Sequence, residues 1–115
     1  MEIHTRHVHD VLVADLVGRL ESRTAGYAST ELNRIAQGGA RKVLLNAERL
    51  EYVSSAGLRA ILVASKLLQV HGGTAKICLA NTAVKRVMEV SGFNSLLHLY
   101  DTEDAALASF AQDAT

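Results

Sequence analysis

Val43-Leu44-Leu45-Asn46-Ala47-Glu48-Arg49-Leu50-Glu51-Tyr52-Val53-Ser54-Ser55-Ala56-Gly57-Leu58 holds one strand, one loop and the start of one helix. The run Val43-Leu44-Leu45 is short, continuous and apolar, as in a strand covered on both faces. Residues 46–54 read as a polar loop. From about Ala56 to His71 the chain is apolar enough for a largely buried helix, and Gly72-Gly73 stops it. A doubly buried strand followed by such a helix points to a parallel sheet with helical crossovers.

The same alternation extends in both directions. Upstream, residues 11–18 read as a strand, with a partner at residues 3–9 joined tightly around His9-Asp10. Glu21-Ser22 opens a helix whose Ala25, Ala28, Leu32, Ile35 and Ala36 share one face, and Gly38-Gly39 ends it. Downstream, residues 75–80 form a strand, and Asn81 or Thr82 caps a helix carrying Val84, Val87, Met88 and Ser91 on one side, with Gly92 beyond it. Residues 97–100 are a last short strand. Asp101 and Asp104 are placed as cap and first-turn acid of a final helix with Ala106, Leu107 and Phe110 turned inward. The order is β-β-α-β-α-β-α-β-α. It describes one α/β domain over residues 1–115, with a mixed, mostly parallel sheet of about five strands flanked by about four helices.

Composition narrows the function classes. The chain has 115 residues, 49% hydrophobic and 21% charged, with 12 basic against 12 acidic side chains. Zero net charge offers nothing to recruit nucleic acid or an anionic membrane. The longest apolar stretch, residues 58–70, is broken by Arg59, Ser65, Lys66 and Gln69 and is too short for membrane insertion. Met1-Glu2-Ile3-His4 has neither the basic nor the apolar region of a signal peptide, and a single cysteine, Cys78, suits a reducing cytoplasm.

Side chains with chemical potential are few. Ser54 and Ser55 stand where a loop becomes a helix, a place that favours added negative charge because free N–H groups and the helix dipole point at it. By residue type, either serine serves as a cap. Ala56 and Gly57 are weak choices for helix stability alone and leave a hydroxyl uncovered. No G-x-S-x-G surrounds the pair, and His71 lies more than four turns along the helix, out of reach as a base. His7 and His9 share a strand face, but two ligands do not make a metal site, so none is expected. Cys78 reads as a small buried apolar residue, and the paired glycines as helix stops, not a phosphate-binding loop. Lys85-Arg86 reads as a solvated helix face.

Several segments together carry a resemblance. Gly18-Arg19-Leu20-Glu21, Val43-Leu44-Leu45-Asn46, Tyr52-Val53-Ser54-Ser55-Ala56-Gly57-Leu58, Gly72-Gly73, and Ala83-Val84-Lys85-Arg86 through Ser91-Gly92 resemble a STAS domain. More narrowly, the chain is similar to the bacterial anti-sigma factor antagonists. The resemblance implies a STAS-like fold and a cytoplasmic binding module that is not an enzyme and has no cofactor. Unphosphorylated, such a module binds an anti-sigma factor that is also a serine protein kinase with a histidine-kinase-like ATP site. Phosphorylation, which by position falls on Ser55, releases the partner, and a serine phosphatase of the PP2C type resets the module. The implied partner surface comprises Glu21, Ser22, Thr24, Glu51, Tyr52, Val53, Ser54, Ala56, Gly57, Leu58 and Arg59. Relatives often carry Asp before the acceptor and an acid ending the preceding strand, where this chain has Ser54 and Asn46, so Ser54 stands as the alternative acceptor. The competing expectation is an unphosphorylated STAS subunit docked on a transporter ATPase or a stress-signalling assembly.

Overall fold

A nearly continuous apolar run in the second strand and a two-residue turn before it set up the first hairpin. In the computed structural model, which describes residues 1–92 and 97–113, β1 (Glu2–Val8) pairs antiparallel with β2 (Val11–Leu20) across His9-Asp10. His9 sits in that turn at φ 56, so it does not share a strand face with His7 as expected. The free edge of β1 is partly covered, because the Tyr27 hydroxyl accepts the Ile3 N–H at 3.3 Å.

The chain continues through α1 (Ala25–Gln37), β3 (Lys42–Asn46), β4 (Leu50–Val53), α2 (Ser55–Val70), β5 (Thr74–Cys78), α3 (Thr82–Val90), β6 (His98–Tyr100) and α4 (Glu103–Asp113). The sheet runs β1-β2-β3-β5-β6, parallel except at β1, with β4 beside the end of β2. The fold class is the expected mixed, mostly parallel α/β sheet with four helices. The strand β4 corrects the expected 46–54 loop and makes the sheet six-stranded. It exists because β2, ten residues long, outruns β3. A bulge between Gly18 and Arg19 re-aims the strand, and its last residues, Arg19 and Leu20, pair with Tyr52 and Val53. The expected domain extent, 1–115, includes residues 93–96 and 114–115, which lie outside the described residues.

Helix ends follow local chemistry. Asn81 caps α3, its Oδ1 accepting the Val84 N–H at 2.8 Å, and its Nδ2 reaches the carbonyls of Leu50 and Glu51. Gly39 and Gly72 leave α1 and α2 at φ 96 and 85, as glycine past a helix end does. Two expected starts shift. The α1 helix begins at Ala25, because the Thr24 hydroxyl ties Glu21 N–H and the Arg19 carbonyl into a turn first. Thr102, not Asp101, caps α4 by accepting the Ala105 N–H, while Asp101 pairs with Lys85.

The two faces of the sheet are closed differently. One face carries the main core, where Leu16, Leu20, Leu32, Leu45, Ile61 and Met88 pack under α1, α2 and α3. Each such side chain contributes about 1.5–3 kcal/mol by leaving water. The other face is covered by α4 through Ala106 and Phe110 on Val11, Val13, Leu44 and Cys78. Lys76 of β5 lies under α4 at 2% exposure, which strand periodicity did not flag. Its ammonium donates to Ser109 Oγ at 2.7 Å and Asp113 Oδ2 at 2.6 Å, and stands 4.5 Å from the Phe110 ring centre. Among the described residues no helix is long and apolar enough to cross a membrane.

Asp113→Ala leaves that ammonium with only a hydroxyl and ring faces, and is expected to cost about 1–3 kcal/mol. Adding Lys76→Met should restore most of the loss, since an apolar chain of similar length fits against the Phe110 and Tyr100 rings. Urea midpoints of the single and double variants test this. An unchanged midpoint in Asp113→Ala would show that the ammonium finds another partner.

Candidate functional site

The N-terminus of α2 separates the two serines by role. Ser54 sits just before the helix at φ −96 and ψ 173, and its Oγ accepts the Gly57 N–H at 3.2 Å. Its own N–H donates to the Leu20 carbonyl at 2.9 Å. Ser54 is therefore the cap, half-buried and pinned to β2. Ser55 is the first helical residue; it is exposed, and its hydroxyl has no hydrogen-bond partner among the described residues. The amides of Ser55 and Ala56 belong to the first turn and have no acceptor within the helix. A group attached at Ser55 Oγ meets open solvent, free N–H donors and the positive end of the helix dipole.

Gly57 has a packing reason, not an accessibility one. A Cβ there would stand 2.6 Å from Leu20 Cγ and 2.7 Å from the Leu20 carbonyl oxygen. The helix starts this close to the strand only because the position is bare. Val53 and Leu58, each 1% exposed, join the main core beside it. Val53, Gly57 and Leu58, all expected in the partner surface, are thus buried in the free chain. They close the core over the end of β2. Thr24 is half-buried with its hydroxyl engaged in the turn. Glu21, Ser22, Glu51, Tyr52, Ser54, Ser55, Ala56 and Arg59 all reach the surface, fully or in part.

One surface residue was missed. The Arg19 guanidinium lies 4.7 Å from the Tyr52 ring centre and 3.5 Å from Glu21 Oε2. The β2–β4 register brings the first pair together, opposite each other across the two strands. A loop reading of residues 46–54 hides this pairing. Arg59 follows Ser55 by one turn, and it has no carboxylate partner among the described residues. Ser55, Leu58, Arg59, Leu62 and Ser91 line a shallow depression there.

Asn46, the last residue of β3, turns toward α4. Its Nδ2 donates to Glu103 Oε1 at 2.9 Å, and its Oδ1 accepts the Glu48 N–H at 2.9 Å. Arg6 forks Asp15 at 2.8 and 3.0 Å and also binds Glu103. Hydrogen bonds from Arg6, then from Asn46, hold the Glu103 carboxyl below its ordinary value. Elsewhere, burial pushes the Cys78 thiol up to about 12, which leaves it protonated. His7 and His9 are exposed, and no group of three metal-ligating side chains forms among the described residues.

Comparison with known proteins covers most of the chain. A family model for the STAS domain matches residues 2–106. BtrV of Bordetella bronchiseptica, assigned as an anti-sigma factor antagonist, is 34% identical over 110 residues, 96% of this chain and 95% of its own. An anti-sigma F factor antagonist of Paenibacillus polymyxa is 29% identical over 108 residues, 93% and 92% of the two chains. Among solved structures, one from Thermotoga maritima, assigned as an anti-sigma factor antagonist, superposes with a TM-score of 0.87 at 21% identity, covering 93% and 92%. Unphosphorylated SpoIIAA superposes at 0.80 and 20% identity, covering 96% and 97%. At such identities these structures show the fold alone.

Gly57→Ala is expected to cost about 1–3 kcal/mol, because the clash includes backbone. Its urea midpoint checks this, and a wild-type midpoint would contradict the close approach to Leu20. Glu103 carries a pH signature. Its folded value is depressed, so the stability it contributes is present above its ordinary value of 4.5 and lost as pH falls through the folded value. Between about pH 6 and pH 3, stability should therefore fall less steeply in Glu103→Gln than in wild type. Equal slopes in urea titrations would count against the Arg6–Glu103 pairing.

Proposed function

The chain belongs to the STAS domain family, and from that premise we propose that it is an anti-sigma factor antagonist switched by phosphorylation of Ser55. The observation that carries this reading is the exposed Ser55 hydroxyl at the start of α2, without a hydrogen-bond partner among the described residues, beside a second serine already committed as the cap. Near full-length similarity to relatives named as antagonists supports the partner class.

In this reading, residues 1–115 form one cytoplasmic binding module without catalytic activity of its own. The unmodified surface of Glu21, Ser22, Glu51, Tyr52, Ser54, Ser55, Ala56 and Arg59 docks an anti-sigma factor that is also a serine kinase. In the complex, Ser55 Oγ gives up its proton and takes the γ-phosphoryl group of ATP, leaving ADP. The phosphate adds about −1.5 to −2 charges. Free N–H groups of α2 and the Arg59 guanidinium, one turn along the helix, receive that charge without refolding the domain. Inside a docked interface the same charge repels and must be desolvated, so the partner leaves. A PP2C-type phosphatase adds water and returns hydroxyl and inorganic phosphate. Ser54 fits the acceptor role less well, because modifying it removes the cap of α2.

Ser55→Asp is expected to weaken binding to the kinase partner at least about tenfold, or about 1.4 kcal/mol, with the fold intact by circular dichroism. Ser55→Ala should bind and gain no mass with kinase and ATP. Equal affinity for Ser55→Asp sinks the switch. Modification surviving in Ser55→Ala moves the acceptor to Ser54. A wild-type chain that binds but is never modified points to an unphosphorylated STAS subunit of a transporter ATPase or stress-signalling assembly.

A further inference from the structure

Asn46 ends β3 at 6% exposure, yet both ends of its amide are engaged. The orientation is forced: a backbone N–H only donates and a carboxylate only accepts, so oxygen faces Glu48 and nitrogen faces Glu103. The two partners belong to distant parts of the chain. Glu48 lies in a turn closed by the Leu50 N–H on the Ala47 carbonyl at 3.1 Å, and that turn leads through β4 to Ser54 and Ser55. Glu103 opens α4 and is fastened by Arg6, which also holds Asp15.

We propose that Asn46 is a positioning residue that couples the seat of α4 to the loop presenting Ser55. An amide supplies an acceptor for the turn and a donor for the helix carboxylate at once. A carboxylate at the same place still accepts from Glu48 but meets the half-buried Glu103 with like charge. Coupling through one buried group is reciprocal. Whatever loosens the first turn of α4 loosens the turn before β4, and charge or a partner at the Ser55 loop is felt at Glu103. The functional consequence rests on Ser55 as the acceptor; the coupling does not.

Amide hydrogen exchange of the full chain, read by NMR, tests the coupling. Glu103→Ala touches nothing in the loop directly. It should raise exchange at the Glu48 amide at least about fivefold relative to Leu44 and Ile77, whose buried amides report global opening. Asn46→Asp should do the same. The double variant Asn46→Asp/Glu103→Gln exchanges carboxylate and amide between the two positions, and should bring protection back to within about twofold of wild type. Unchanged Glu48 exchange in Glu103→Ala overturns the proposal. So does a double variant no better protected than Asn46→Asp. Should Asn46→Asp not fold, Glu103→Ala decides alone. A wild-type chain that gains no phosphate fails the Ser55 reading and leaves the exchange result standing.

Discussion

The contact between Gly57 and Leu20 sets the geometry of the whole functional end. Because α2 begins against the last residue of β2, the preceding chain must run alongside that strand, and four residues become β4. The Leu20 carbonyl then takes the Ser54 N–H, which fixes where the helix starts and which serine is its cap. Ser55 is exposed as a result of that register. A larger residue at 57 would lift the helix start, and the cap, the strand pairing and the Arg19–Tyr52 stack would shift with it.

The two faces of the sheet use different physics. The face under α1, α2 and α3 is closed by area, with aliphatic side chains in ordinary contact. The α4 face has a smaller apolar patch and adds charge at both ends of the helix: Arg6 on Glu103 at its start, Lys76 on Asp113 at its end. The cation under the last turn also suits the negative end of the helix dipole. Exposed pairs such as Arg34–Glu31 are screened by solvent and contribute little. A buried ammonium is different: replacing it with an apolar chain is often harmless, whereas stranding it is costly. Its contribution is to fix the seat of α4.

Much of this was legible in the sequence. Apolar runs at β3 and β5, glycine pairs after α1 and α2, and the Asn81 cap each have a local signature, so element order and sheet class follow from them. β4 was not legible. Leu50-Glu51-Tyr52-Val53 is buried at its two ends and exposed between them, without the strict alternation that marks a strand. Only the overlong β2 creates its partner. The start of α1 was displaced because Thr24 spends its hydroxyl on a turn. The site divides the same way. Serines at a helix start could be seen, but the split between cap and free hydroxyl depends on a long-range hydrogen bond to Leu20. Arg19, Lys76 and Asn46 each depend on one partner 33 to 57 residues away, Tyr52, Ser109 and Glu103 respectively, beyond any pattern of local spacing.

Cys78 gives the chain a built-in clock. Fully enclosed beneath α4 and held as a neutral thiol, it presents no nucleophile to an alkylating reagent while the sheet stays covered. Its labelling rate therefore counts the moments when α4 lifts or the domain opens. The same seclusion allows a second cysteine, placed on the outer surface, to be tagged selectively in the native state without removing the first.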